Sequence, residues 1–546
     1  MKKIVFFVLS LLIGYIAVAE KQAIINGVEW CYSIEDGGIH LKGCSIPSTF
    51  SGAVIIPAFV EERNQVWPEE RNPVYPVVNI SRSCFYRCFN LTHVEIPASV
   101  AEIGDHTFFA CTKLERVIIS SGVKKIGYGA FTNCGSLKRI DIPNTVVEVG
   151  DYAFKGCGRL EQVVIPGGIQ GIGDCAFEDC ALKYVNLPKS IVRIGKQVFK
   201  GCRELERVIL SDGITEISEE MFRECVELDD ITIPNSATNV RKGAFSCCSR
   251  LKKIKLPDNI SEIESEAFAN CKGLESIKIP NNVAKISWGA FSGCENLERV
   301  WISNRMGAIE GRVFSGCRAL NNVYIPEGVT EIGDYAFYGC IRLENVNIPN
   351  SVVVIGDSAF KDCSMLKNVI IPGSVEKIGS KAFCNCASLE SVIIPNSVKD
   401  ITAPLFYGCN NLVKATIPQV MCKGRLDGNM PVENLIEVKV AEGVRNIAAK
   451  TFYECERLRT VKLPFSLKNI EEFAFLKCPS LETVYLPKSY KEKLNGFEIP
   501  DGVELKFYSD SKAFSTFRML ICILVISGWL FKKYGHKIKI NGGKNE

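Results

Sequence analysis

Leu137-Lys-Arg-Ile140-Asp-Ile142-Pro143-Asn-Thr-Val146-Val-Glu-Val149-Gly150-Asp-Tyr-Ala153-Phe154-Lys-Gly-Cys157 has apolar residues at the spacing of neither a long helix nor a long strand. Leu137, Ile140 and Ile142 end in period two, the mark of a short strand, and Pro143, which lacks an N–H, closes it. Val146 and Val149 bring the chain back along the opposite side. Gly150 is expected to permit a tight bend, and Ala153-Phe154 with Cys157 fit one helical turn pointing inward. Eight of these positions are thus committed to an interior that so short a unit cannot enclose, so copies of it must stack on one another.

The copies are present. Phe-x-x-Cys recurs from Phe85/Cys88 to Phe475/Cys478 in steps of 23 residues, with two exceptions. Phe177 to Phe199 is a step of 22, because Cys180-Ala181-Leu182 lacks one residue of the usual Cys-x-x-Leu. Phe406 to Phe452 is a step of 46, with an eroded unit traced through Asn429, Val432 and Leu435. Eighteen units run in register, and 17 keep the motif. The fold class expected is a repeat solenoid with one long parallel β-sheet, and short helical turns or extended segments on the opposite face.

The pattern Leu-x-x-Val-x-Ile-Pro-x-x-Val-x-x-Ile-Gly-x-x-Ala-Phe-x-x-Cys resembles the BspA-like family of leucine-rich-repeat surface proteins. The resemblance covers roughly residues 85–487. It implies a curved, right-handed leucine-rich-repeat coil, secretion, and roles in adhesion or host and matrix interaction, with no catalytic residues. Terminal coils would expose an open core, so caps are expected at 20–84 and 488–512, the first with Trp30, Cys31 and Cys44 and the second with Phe497, Ile499, Val503, Leu505 and Phe507.

Of 546 residues, 47% are hydrophobic and 23% charged, which supports a large core and excludes wholesale disorder. Lys plus Arg (65) nearly balances Asp plus Glu (61), so no global field recruits nucleic acid. With four histidines, and no P-loop, dinucleotide fingerprint or nucleophile elbow, no cofactor, catalytic residue or metal centre is expected. A shallow sheet also lacks the enclosed pocket that catalysis needs, so the reading is not an enzyme. Lys2-Lys3, the apolar run Ile4–Ile16 and Ala17-Val18-Ala19 read as a signal peptide over 1–19, with an uncleaved anchor as the alternative. Residues 513–546 hold an apolar run, Met519–Phe531, followed by Lys532 and Lys533. This tail is a candidate membrane anchor, or else a buried or interfacial segment. The chain is therefore expected to be exported, and either displayed at the cell surface or secreted.

Seventeen of the 25 cysteines share one repeat position. A buried small hydrophobe with a weak S–H donor explains them better than a metal ladder or a disulfide framework. Outside the repeat, Cys31–Cys44 is the disulfide candidate, because a small cap gains most from a staple. Strand positions between the inward Val and Ile point to solvent. There Lys255, Lys278, Trp301 and Tyr324 fall in consecutive units, with Lys253, Arg299, Asn322, Asn345 and Asn368 beside them. Cations, rings and amides in such a strip suit a protein or glycan ligand, particularly an acidic one, on the concave β-face. The alternative is a structural spacer or envelope scaffold whose strand face carries ordinary solvated side chains.

Overall fold

A computed structural model describes residues 20–25, 28–45, 52–61, 74–426, 428–491 and 499–509. The segment read as a signal peptide, 1–19, and the apolar run of the tail lie outside these residues. The described residues divide into two compact units, the first running to Leu412 with Gly428–Pro431 and the second taking Val413–Leu426 and those from Val432 onward.

In the first unit each coil has three sides, and each side is tied to the next coil by backbone hydrogen bonds. The first side is a short parallel strand. Arg139–Asp141 pairs with Gln162–Val164, and the pattern recurs from Ser276–Lys278 through Ser391–Ile393. The one long sheet expected from the repeat is instead a succession of shorter parallel sheets. Strands of three residues contribute so few ladder bonds that one lapse in pairing divides the sheet. The second side is a ladder of two-residue strands, such as Lys125–Ile126, Glu148–Val149 and Gly171–Ile172.

The third side corrects the expected helical turn. Tyr152 (φ 58°) and Gly156 (φ 72°) flank Phe154 in the left-handed region. This alternation turns every second N–H sideways, whereas a helix would aim them along the chain. The N–H groups of Tyr152, Phe154 and Gly156 donate to the carbonyls of Asp174, Ala176 and Glu178 on the next coil, each at 2.8 Å. Gly150 also has a different role from the one expected. Its φ is not in the left-handed region, and a Cβ there would lie 2.8 Å from the carbonyl carbon of Gly127. It is a close-approach glycine between stacked coils.

The core is a column of rings. Phe85 to Phe406 stack with centroids 4.9–5.8 Å apart and ring planes within 17° of parallel. Equivalent positions in parallel coils repeat at about the strand spacing, which sets this separation. Beside them runs a thiol ladder, in which the repeat cysteines from Cys111 to Cys409 donate to the phenylalanine carbonyl of the preceding coil. Cys134 reaches Phe108 at 3.1 Å, Cys157 reaches Phe131 at 3.2 Å, and Cys248 reaches Phe222 at 3.1 Å. The 22-residue unit keeps both columns, with Phe177 and Phe199 at 5.8 Å and Cys202 donating to Phe177 at 3.1 Å. The residue it lacks falls in a turn outside these columns.

The eroded unit is filled differently from the sequence register. Asn429 falls at the phenylalanine place by counting. Its carbonyl, however, accepts the Phe406 N–H at 2.8 Å, the role of the residue before phenylalanine in regular coils, as Ala130 has for Phe108. Met430, 3% exposed, follows as the buried side chain. A flexible thioether fills an irregular space better than a carboxamide could.

Before the first regular coil, Lys21–Ile25, Val28–Glu35 and Gly38–Ser45 form an antiparallel meander, which passes to the parallel ladder by pairing with Val74–Ile80. Trp30 is buried, with its ring edge-on to Phe85 at 5.8 Å. In the second unit, Lys414–Ile417, Glu437–Val440, Thr460–Lys462, Thr483–Pro487 and Glu504–Tyr508 form one parallel sheet. Val503, Leu505 and Phe507 are only half-buried at its end, where the Tyr508 hydroxyl donates to the Leu463 carbonyl at 2.6 Å.

Candidate functional site

The strand side places the outward residues. Ile277, Val300 and Val323 are buried, so period-two alternation turns their neighbours to solvent. Lys278 stands in register with Trp301, Arg299 with Asn322, Asn322 with Asn345, and Asn345 with Asn368. Trp301 is 52% and Tyr324 62% exposed, large values for aromatic rings. The Arg299 guanidinium lies 5.9 Å from the Trp301 ring centroid, close enough for cation–π attraction. Lys255 is exposed at the head of the strip, where Lys253 bridges to Ser276. Ile370 and Ile393, in register and 63% and 47% exposed, continue it as an apolar extension. The structure therefore brings Lys255, Lys278, Arg299, Trp301, Tyr324 and Asn345 onto one open face.

Charge sets this strip apart from the coils before it. On the same face, Arg139 pairs with Asp141 at 3.0 Å and Arg207 with Asp230 at 2.9 Å. Among the described residues no carboxylate lies within ion-pair distance of Lys255, Lys278 or Arg299. These cations stay available to an outside anion, where a carboxylate or sulfate could receive charge-assisted bonds and the rings could supply flat contact.

The disulfide expected between Cys31 and Cys44 is not formed, and the pairing explains why. Cys44 stands opposite Trp30, and Cys31 opposite Gly43. One residue of offset puts the two sulfurs on opposite faces of the sheet. Cys31 reaches Glu20 at 3.4 Å, while Cys44 donates to the Cys84 carbonyl at 3.6 Å; both are free thiols. Among the described residues no group of three or more His, Cys, Asp or Glu is placed to hold a metal ion. Burial pushes the ladder thiols of Cys157, Cys202 and Cys294 up to about 12, so they are neutral at ordinary pH.

A second set of rings, exposed or half-buried, lies on the turn side and was not identified from the sequence. The Arg312 guanidinium sits between Trp288 (5.2 Å) and Tyr335 (5.1 Å), and Lys361 lies over Tyr338 at 5.5 Å. Nearer the N-terminus, Tyr86 stacks on Phe109 at 5.0 Å. Arg312 and Tyr335, Tyr338 and Lys361, and Tyr86 and Phe109 are each 23 residues apart, so the stacking of coils brings them together; Trp288 is offset by one place from that register.

Residues 78–206, 170–298, 284–413 and 431–498 match the model of the BspA type leucine rich repeat region. The chain belongs to this BspA-type leucine-rich-repeat family. Among solved structures it is similar to a leucine-rich repeat protein from Bacteroides ovatus, at 27% identity and TM-score 0.43, over 90% of this chain and all of that one. It is also similar to a leucine rich cell surface protein from Faecalibacterium prausnitzii, at 29% identity and TM-score 0.40, over 64% of this chain and 94% of that one. The pneumococcal vaccine antigen PcpA shares 16% identity at TM-score 0.38, over 89% of this chain and 98% of that one. No curated protein matches the chain. No helix among the described residues is long and apolar enough to cross a membrane.

Proposed function

We propose that this BspA-type protein is exported and acts by recognition, binding an acidic protein segment or glycan along its strand face, with no catalytic step. One observation carries the reading. Cations without a carboxylate partner among the described residues and exposed rings, at Lys278, Arg299, Trp301 and Tyr324, stand in neighbouring strands of one sheet face. Large exposed rings cost solvation in a free protein and are characteristic of surfaces that meet a partner. A spacer needs only a soluble face, which the ion-paired coils at Arg139 and Arg207 already provide.

The test is binding of the full mature chain to a panel of sulfated glycans and matrix proteins. Saturable binding that Trp301→Ala with Tyr324→Ala weakens tenfold or more supports the reading, as does binding that falls steeply with salt. Binding unchanged by that pair of substitutions overturns it. Export and anchoring are tested by cell fractionation with surface protease shaving, with and without residues 514–546.

A further inference from the structure

On the turn side, two rings clamp one guanidinium. Arg312 lies 5.2 Å from the Trp288 ring centroid and 5.1 Å from that of Tyr335. Tyr335 meets Tyr338 edge-on at 5.8 Å, and Lys361 lies over Tyr338 at 5.5 Å. Gly311 lets Trp288 reach across its one-place offset. A Cβ at Gly311 would lie 3.3 Å from Trp288 Cδ1, and the same place holds an aspartate in the coils of Asp151, Asp174 and Asp334. Trp288 is 44% exposed, and Arg312 is exposed as well. Charge also separates these coils from earlier ones. There the turn-side cations are paired, Lys155 with Glu178 at 2.7 Å, and Lys200 and Arg223 with Glu220 at 2.8 and 3.0 Å. Among the described residues no carboxylate lies within ion-pair distance of Arg312 or Lys361. The neighbouring carboxylates of Asp334 and Asp357 are turned to the backbone, where they accept the N–H groups of Asp357 and Ser380, both at 2.7 Å.

We propose that this turn-side cluster is a second binding site, separate from the strand face, for a sugar chain bearing carboxylate or sulfate groups. Rings over both faces of the Arg312 guanidinium leave its N–H edge as the open part, and that fork fits an oxyanion through two parallel hydrogen bonds. Lys361 adds a second positive charge, and the exposed part of the Trp288 ring offers flat apolar contact to the C–H face of a sugar. Gly293, Gly316 and Gly339, one coil apart with φ of 74°, 74° and 69°, carry no side chain, so a low shelf of backbone runs beside this wall. A peptide is the poorer fit, because the local backbone is already spent. The N–H groups of Arg312, Phe314 and Gly316 donate to the carbonyls of Asp334, Ala336 and Tyr338 at 2.9, 2.9 and 2.7 Å. An extended peptide therefore finds no open ladder to join. Charged side chains and rings without free backbone suit a ligand that brings its own hydroxyl and acid groups.

The test is titration calorimetry on the full mature chain carrying Trp301→Ala and Tyr324→Ala, which removes both strand-face rings. The probes are polygalacturonate, dextran sulfate, uncharged dextran and polyglutamate. Saturable binding of polygalacturonate or dextran sulfate is expected, with none of dextran, and it should weaken as salt rises. Adding Trp288→Ala or Arg312→Gln should weaken it by roughly tenfold. Arg312→Lys keeps the charge without the fork and should also bind more weakly, which keeps the result decisive should Trp288→Ala disturb the turn. If neither charged polysaccharide binds, the site is overturned. Binding that Trp288→Ala and Arg312→Gln both leave unchanged overturns the assignment to the clamp. Polyglutamate held as tightly through the same residues makes the partner an acidic protein segment and overturns the assignment to a sugar chain. Failure of the strand-face reading leaves this result standing, because the strand-face rings are absent from every arm.

Discussion

The coil built on Phe154 and the stretch from 418 to 451 solve the same problem by different means. Around Phe154, backbone meets backbone on all three sides, and the side chains that matter are a stacked ring and a thiol. In the other stretch, the short 3-10 helix Gln419–Lys423 interrupts the pattern. There the Gln419 carboxamide stands in for a peptide unit. Its oxygen accepts the N–H groups of Arg445 (2.8 Å) and Asn446 (3.3 Å), and its nitrogen donates to the Asn446 carbonyl at 2.9 Å. The Cys422 carbonyl accepts the Ala448 N–H at 2.9 Å, and the Thr451 hydroxyl donates to the Ala448 carbonyl at 2.7 Å. A coil thus tolerates loss of its motif provided every ladder group still finds a partner, because an unpaired buried peptide group costs more than a lost side-chain contact.

The contrast can be broken most strongly by pH. The thiols of Cys157, Cys202 and Cys294 titrate near 12 in the fold against an ordinary value near 9. Above pH 9 the unfolded chain sheds protons that the folded chain keeps, so stability is full below pH 9 and falls as pH rises toward 12. Each such thiol forfeits about 1.4 kcal/mol per pH unit in that window. Urea midpoints at pH 8 and pH 10 should differ sharply, and replacing these three cysteines by alanine should reduce the difference in part, since burial raises other ladder thiols such as Cys134 and Cys225 as well.

Within a regular coil, Phe245→Ala removes a ring stacked at 5.5 Å on Phe222 and 5.2 Å on Phe268. A loss of about 3–5 kcal/mol is expected by urea denaturation, because two neighbours lose contact and the stack cannot collapse. Cys248→Ala should cost less, about 1–2 kcal/mol, since the Phe222 carbonyl still accepts the Cys225 N–H at 3.1 Å. Gln419→Ala should cost about 1 kcal/mol, and its signature is local: faster hydrogen exchange at Arg445 and Asn446, with exchange around Phe154 unchanged. Trp301→Ala should shift stability by about 0.5 kcal/mol or less, because its ring is exposed on the strand face. A large loss there would recast the strand-face ring as part of the framework.

Much of the fold was legible because a coil that cannot bury its own interior must repeat its apolar spacing. Leu137, Ile140, Val146 and Phe154 are all buried as read. The strip from Lys278 to Tyr324 was legible for a related reason, since alternation in a strand of known register assigns each residue a face. The turn-side rings at Trp288, Arg312 and Tyr335 were missed although Arg312 and Tyr335 are one repeat apart, because a turn read as helical assigned these positions no common face. Asn429 was misplaced by one residue for want of any marker of how an eroded coil takes up slack.

The order of residues alone therefore determined the stacked coil, its buried phenylalanine and cysteine columns and its family, all consequences of periodic burial. Tertiary structure alone decided which thiols meet, which glycines are crowded and which side chains replace missing backbone partners. Those outcomes depend on distances between segments far apart in sequence, and on peptide orientations that residue type does not specify. Cys44 shows the difference: its place in a small cap suggested a bridge to Cys31, and the register of two strands puts the two sulfurs on opposite faces.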